Sequence, residues 1–180
     1  MILTYKQCLE SWSSDYQIKK ALSNGQLYKL EEGIYSDLPQ ASSLEIIAAK
    51  YPNAIITMDT AFYFHGLTDV IPDMYCIATP ESAKALRDTR IKQYFVKKEI
   101  LNVGVTTMKR KKASFKIYDR ERMLIELLRF KNALPYDYYK EILGNYRKLI
   151  YELDIERIQE YASTFPKRKM ISAALDAEVF

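Results

Sequence analysis

The chain is poor in the residues that build reactive or cross-linked sites. Its 180 residues include two cysteines, one histidine, five glycines and one tryptophan. Cys8 and Cys76 are too few for a disulfide framework and read as small core residues. One histidine leaves no Cys/His cluster for a structural metal. Gly25, Gly33, Gly66, Gly104 and Gly144 stand singly. That excludes a glycine-rich phosphate loop and a Gly-x-Ser-x-Gly nucleophile elbow. No Gly-Ser pair precedes an Asp-x-Asp, so the metal site of a nucleotidyltransferase is missing, and no Asp/Glu-x-Lys follows Pro72-Asp73, so a common nuclease pattern is missing too. No apolar run approaches the ~20 residues that a bilayer requires. The opening Met1-Ile2-Leu3-Thr4-Tyr5-Lys6 lacks the basic-then-apolar order of a secretory signal. The expectation is a cytoplasmic protein with no catalytic residue, no metal and no cofactor.

What is present is ordinary globular composition with an uneven charge. The apolar share is 48% and the charged share 28%, which suits a folded chain and not a disordered one. The net charge of +4 hides a partition. Residues 1–40 carry net −1 and residues 41–83 net −4, while residues 84–116 hold 11 basic against 2 acidic side chains, net +9. Lys92, Lys97, Lys98, Lys109, Arg110, Lys111 and Lys112 lie in that segment. Such a run creates a positive potential that attracts polyanions. It also suits a solvated sheet edge, where lysines block edge-to-edge aggregation.

Local patterns divide the chain into a head of residues 1–38 and a larger domain of residues 42–180. In the head, residues 4–11 read as a short helix. Ser14 is an N-cap, with Gln17 three residues on to complete a capping box, and Gly25 falls just past the end of a helix over 14–24. On that helix Ile18, Ala21 and Leu22 share one face. Leu27–Leu30 and Ile34–Ser36 flank Glu31-Glu32-Gly33 as a β-hairpin. Beyond Ser42, a helix carries Leu44, Ile47 and Ala48, and Ala54–Met58 is a short buried strand. A helix with Ala61, Phe62 and Phe64 ends near Gly66. Strands follow at Met74–Thr79, Ile91–Lys97, Val103–Met108 and Ser114–Tyr118. The tetrad Lys109-Arg110-Lys111-Lys112 fits the turn of a hairpin. From Asp119 the pattern is helical, with further helices over roughly 136–149, 154–164 and 168–178. On the helix that Asp119 caps, Met123, Leu124, Leu127, Leu128 and Phe130 form the apolar stripe, and Arg122, Glu126 and Arg129 read as a salt-linked solvent face. The fold class is α+β: a small winged helix-turn-helix-like head, then a mixed, mainly antiparallel sheet with a helical C-terminal part.

Two helices followed by a hairpin form the minimal content of a winged helix-turn-helix, whose second helix enters the major groove. The candidate DNA-binding residues are Tyr16, Gln17, Lys19, Lys20, Ser23 and Asn24 on that helix, with Lys29 on the hairpin. Gln and Asn pair with adenine edges, and Lys with guanine or phosphate. The tip residues Glu31 and Glu32 oppose phosphate. His65, near Asp59, Asp69 and Asp73 in sequence, could serve as a base or metal ligand, but its place between an aromatic run and Gly66 suits a structural histidine at a helix end. Asp119 and Glu121 suit the first turn of a helix better than a metal pair.

Four blocks resemble the AbiEi antitoxin family, in family order and across nearly the whole chain. Leu27-Tyr28-Lys29-Leu30-Glu31-Glu32-Gly33-Ile34-Tyr35 is similar to its wing. Tyr51-Pro52-Asn53-Ala54-Ile55-Ile56 and Thr60-Ala61-Phe62-Tyr63-Phe64-His65-Gly66-Leu67-Thr68-Asp69 resemble its second domain. Tyr118-Asp119-Arg120-Glu121-Arg122-Met123-Leu124-Ile125-Glu126-Leu127-Leu128-Arg129 is similar to its signature helix. The resemblance implies the antitoxin of a bacterial type IV toxin–antitoxin system. Such a protein binds double-stranded operator DNA, as a monomer or weak dimer, and represses its own operon. It also counteracts a nucleotidyltransferase-like AbiEii toxin. The alternative is a protein-interaction module that neutralises a partner without specific DNA binding.

Overall fold

A computed structural model describes residues 1–179. The chain is an α+β protein that divides into two compact units. The first comprises Met1–Asn53 together with Met108–Phe115; the second starts at Ala54, runs to Thr107, and resumes at Lys116.

Unit 1 runs β1 (Ile2–Thr4), α1 (Tyr5–Trp12), α2 (Asp15–Ser23), β2 (Tyr28–Glu31), β3 (Ile34–Ser36) and α3 (Ser43–Lys50). Its sheet has the order β1-β3-β2 and is antiparallel throughout, with Leu3 and Lys29 both opposite Tyr35. The first helix starts one residue later than the sequence pattern implies, because Ile2–Thr4 pairs with Ile34–Ser36 as a strand. Thr4 ends that strand and caps α1 with a full capping box: it receives the Gln7 N–H, and Gln7 Oε1 accepts the Thr4 N–H at 2.8 Å. Ser14 Oγ caps α2 by accepting the Gln17 N–H at 3.3 Å. Gly33 (φ +74°) closes the hairpin in a left-handed conformation that costs glycine nothing. Leu3, Cys8, Ile18, Ala21, Leu27 and Tyr35 form the core, with Trp12 packed against it. Each large apolar side chain buried there contributes about 1.5–3 kcal/mol.

The sequence pattern assigns α3 to the larger domain, starting at 42. The structure places it in unit 1, where it packs on β1 and β3. Leu44, Ile46 and Ile47 are buried; an eight-residue helix with that much apolar surface stays folded only by burying it. Its start carries a second full capping box, Ser42 with Glu45.

Unit 2 contains β4 (Ile55–Ile56), α4 (Met58–Phe64), β5 (Tyr75–Pro80), β6 (Ile91–Val96), α5 (Lys98–Leu101), β7 (Val105–Arg110), β8 (Ala113–Tyr118), α6 (Arg120–Arg129), α7 (Tyr136–Lys148), α8 (Ile155–Thr164) and α9 (Arg168–Glu178). The Met108–Phe115 tip of the β7–β8 hairpin is the part that belongs to unit 1. The sheet order is β6-β5-β4-β8-β7. It is mixed: β4 runs antiparallel to β5 and parallel to β8, and β5 runs parallel to β6. The strand expected at 54–58 stops at Ile56, because Met58 (φ +45°) turns the backbone into α4. A left-handed non-glycine residue of this kind costs about 1–3 kcal/mol.

Helix α6 lies at the centre of this unit, against α4, α7, α8 and α9. This corrects the solvent-face reading of Arg122 and Glu126, while Arg129 stays partly exposed. Arg122 is 0% exposed and Glu126 4%. Met123, Leu124, Ile125, Leu127 and Leu128 are all buried too, so the helix is enclosed on every side. Its charges persist inside because they satisfy one another. Arg122 Nη2 lies 2.6 Å and Arg129 Nη1 2.7 Å from the Glu126 carboxylate. Among the described residues, no helix is long and apolar enough to cross a membrane.

Candidate nucleic-acid interface

Helix α2 separates its two faces cleanly. Ile18 and Ala21 turn inward, while Tyr16, Gln17, Lys19, Lys20, Ser23 and Asn24 are all exposed. Tyr16 is 72% exposed. An α-helix is about 10–12 Å across with its side chains, which fits the ~12 Å width of a major groove. The Tyr5 hydroxyl donates to the Asp15 carboxylate, which ties α1 to the first turn of α2. That hydrogen bond is the leading cause of the upward shift of the Tyr5 pKa.

The wing is less basic than its sequence position implies. Lys29 is exposed, but its ammonium lies 2.7 Å from Glu32. The contact raises the Lys29 pKa and lowers that of Glu32. Glu31 pairs with Lys50 at 3.3 Å. The backbone has a register shift between Lys29 and Glu31, a bulge that re-aims the side chains of the wing.

The seven residues of the basic run do not stay together. Lys92 sits on β6 and Lys97 and Lys98 at the start of α5, in unit 2. Lys109, Arg110, Lys111 and Lys112 occupy the tip of the β7–β8 hairpin, in unit 1. All seven are exposed. Lys111 takes φ +53°, the left-handed position of a two-residue turn. With the tip included, unit 1 carries nine Lys and Arg against six Asp and Glu, net +3, where residues 1–40 alone are net −1. Lys111 and Lys112 border an open groove of about 800 Å³ with Ser42 and Glu45.

Other residues singled out in the sequence have structural partners. His65 Nε2 lies 2.7 Å from the Tyr118 carbonyl, at the end of α4. Burial, first, lowers its pKa. Asp119 caps α6 through the Arg122 N–H (2.8 Å) and accepts the Tyr161 hydroxyl (2.9 Å). Glu121 accepts the Asp154 N–H at 3.1 Å. Cys8 and Cys76 are buried and unlinked. Among the described residues, no group of three His, Cys, Asp or Glu is placed to hold a metal ion.

Sequence reasoning missed two cavities of unit 2, because their walls come from distant parts of the chain. One, of about 520 Å³, has Asp59, Cys76, Lys92 and Tyr138 among its lining and Val70, Ile71 and Met74 at its rim. The other, of about 260 Å³, lies between Thr57-Met58, the end of β6 and the end of α6.

No family model matches the chain, and no curated protein matches it. Among solved structures, the chain is similar to the RV2827C protein from Mycobacterium tuberculosis, with a TM-score of 0.62 and 15% identity over 98% of this chain and 71% of that one. At that identity the likeness establishes a shared fold.

Proposed function

We propose that the chain is a DNA-binding antitoxin of a type IV toxin–antitoxin system. It represses its own operon through unit 1 and counteracts a nucleotidyltransferase-like toxin. The observation that carries the DNA-binding half is the outward face of α2. Six polar or aromatic side chains stand free of the core on this helix and its C-cap. The hairpin tip adds four cations to the same unit. Base edges are read by Gln17, Asn24 and the lysines, and phosphates are held by the tip. The ordered sequence blocks support the antitoxin half.

Mobility-shift titration with the DNA upstream of the chain's own reading frame tests the first half. A Kd of roughly 10⁻⁸–10⁻¹¹ M at physiological salt is expected for the specific site. Lys20→Glu should weaken it at least tenfold without changing the melting temperature. An unchanged Kd removes α2 from the interface. Co-expression with the product of the neighbouring reading frame tests the second half, with rescue of growth expected. One observation favours the protein-interaction reading: the wing lysine is already neutralised by Glu32. That reading holds if a stable complex with the toxin forms and no footprint is seen on the upstream DNA.

A further inference from the structure

Strand β6 forms one edge of the unit 2 sheet, with β5 as its neighbour. The Tyr75 N–H donates to the Arg90 carbonyl at 2.8 Å, and the Glu81 N–H to the Val96 carbonyl at 2.9 Å. Between them the register is unbroken from Ile91 to Val96. Bonding therefore alternates along the strand. Lys92, Tyr94 and Val96 turn their N–H and C=O groups to β5, and Ile91, Gln93 and Phe95 turn theirs outward. The Ile91 N–H is taken by the Asp88 carbonyl at 3.0 Å. Among the described residues, the backbone N–H and C=O groups of Gln93 and Phe95 have no hydrogen-bond partner. The connection from β5 is tied to the Gln93 side chain and not to its backbone. Gln93 Oε1 accepts the Leu86 N–H at 2.8 Å, and Gln93 Nε2 donates to the Lys84 carbonyl at 3.2 Å.

Sheet edges are normally blunted by proline, a bulge, an inward charge or a covering segment. Ile91-Lys92-Gln93-Tyr94-Phe95-Val96 has no proline, glycine or bulge. Its one charge, Lys92, has its ammonium 5.5 Å from the Tyr94 ring centroid. Phe95 is 51% exposed, on the face opposite Tyr94. It offers an apolar side chain to a residue paired with it across the edge.

Charge decides what can pair there. From Glu81 to Glu99 the chain has six Lys and Arg against three Asp and Glu, net +3. Asp88 is bound to Arg90 at 2.7 Å. Lys84, Arg87, Lys92, Lys97 and Lys98 are all exposed. A second copy would set this excess against itself, and like charges opposite one another destabilise a strand pair. A strand with acidic side chains is drawn to it instead.

We propose that β6 takes up an extended acidic segment of a partner protein as a further strand of the sheet. Backbone hydrogen bonds at Gln93 and Phe95 hold the segment, an apolar residue packs on Phe95, and its carboxylates face the lysines around the strand. The proposal does not rest on the antitoxin reading.

Fluorescence anisotropy of a labelled peptide with the full chain tests it. The probe is Asp-Val-Glu-Val-Thr-Val-Glu-Asp. Its controls are the same peptide with lysine at each acidic position and the acidic peptide N-methylated at every second residue, in both alternations. The acidic peptide should bind saturably. N-methylation in one alternation should weaken binding at least about tenfold, because it removes the donors that face β6. The Phe95 N–H points away from β5, so Phe95→Pro breaks no bond of the ladder. That variant should lose the peptide with a melting temperature within a few degrees of the parent's. Lys97→Glu/Lys98→Glu, which leaves the strand itself intact, should weaken binding at least about fivefold, and Lys20→Glu should leave it unchanged. The proposal is overturned if the acidic peptide does not bind at millimolar concentration, if both N-methylated forms bind as it does, or if the lysine peptide binds as tightly. Sedimentation velocity that shows a dimer dissolved by F95P assigns the edge to a second copy and overturns it too.

Discussion

Replacing Arg122 should destabilise unit 2 more than any exposed substitution. Its side chain is wholly buried, between the rings of Tyr118 at 4.4 Å and Phe165 at 4.1 Å. Nε and Nη2 donate to Glu126 Oε1 at 3.1 and 2.6 Å, and Nη1 donates to the carbonyls of Ile100 and Val103 at 2.7 and 3.3 Å. In Arg122→Met the apolar stem survives, but every one of these acceptors loses its donor. Glu126 keeps only Arg129. Two carbonyls and half a carboxylate left dry cost about 1–3 kcal/mol apiece when unrelieved. Breaking one side of a buried pair costs about 3–5 kcal/mol. For a chain of this size, that lowers Tm by roughly 6–20 °C. Circular dichroism at 222 nm during thermal and urea unfolding reads the effect, while the fluorescence of Trp12, the one tryptophan, reports on unit 1. Arg122→Met/Glu126→Leu should lose less than the two single variants added together, because the second change removes the carboxylate that the first strands. A loss below about 1 kcal/mol in R122M, or strict additivity in the pair, refutes the reasoning.

Three further outcomes follow from particular contacts. A Cβ at Gly104 would lie 2.4 Å from Arg122 Cβ, and φ there is +71°. The Gly104 carbonyl is also held by the Asp119 N–H at 2.7 Å, so Gly104→Ala should cost about 2–5 kcal/mol in urea unfolding. Gly33→Ala, equally left-handed but with open space around the new methyl, should cost only about 1–2 kcal/mol. His65 titrates below its ordinary 6.5 because it is buried. The unfolded chain therefore gains its proton first as pH falls. Stability fully present above 6.5 is lost through the window from 6.5 down to the folded pKa, at up to about 1.4 kcal/mol per pH unit. His65→Gln should flatten that limb of the pH–stability curve, and an unaltered limb would show that His65 does not cause it. Lys111→Glu/Lys112→Glu should lower the slope of log Kd against log salt for operator DNA by about two if each lysine holds one phosphate; an unchanged slope takes the hairpin tip off the DNA.

Unit 1 was readable wherever its signals are local. Ser14 lies just before Ile18 and Ala21, Gly25 follows the helix, and Gly33 ends the acidic tip; each acts within a few residues of itself. Strand β1 was not readable, since Ile2–Thr4 becomes a strand only by pairing with residues more than thirty positions away. Helix α6 shows a different failure. Arg122 and Glu126 at i, i+4 spacing look the same whether the pair faces water or the core. The usable signal was the company they keep: Met123, Leu124, Ile125, Leu127 and Leu128 leave no side of the helix free of apolar residues, the pattern of a helix buried all round. The walls of the 260 Å³ cavity come from residues 57–58, 81, 94–100, 126–130 and 166, and no spacing rule joins them.

The basic run makes the same point about charge. Net +9 over residues 84–116 is visible in the sequence and suggests one polyanion-binding surface. The fold divides it. Ile91–Val96 becomes a sheet edge with one lysine, Lys92, and an exposed phenylalanine, while Val105–Tyr118 becomes a hairpin whose turn must be polar and whose tip joins the head unit. Proximity along the chain therefore does not make these cations one site. The tip raises a weakly acidic head to net +3, the sign that a duplex-binding unit needs. Lys97 stays in unit 2, on the wall of the smaller cavity with Arg129, Glu81 and Glu126. If the head holds operator DNA, its salt dependence reports the counterions that several phosphates release together. Neutralising Lys97 should leave the operator salt slope intact, and a fall in that slope would show that the run acts as one surface after all.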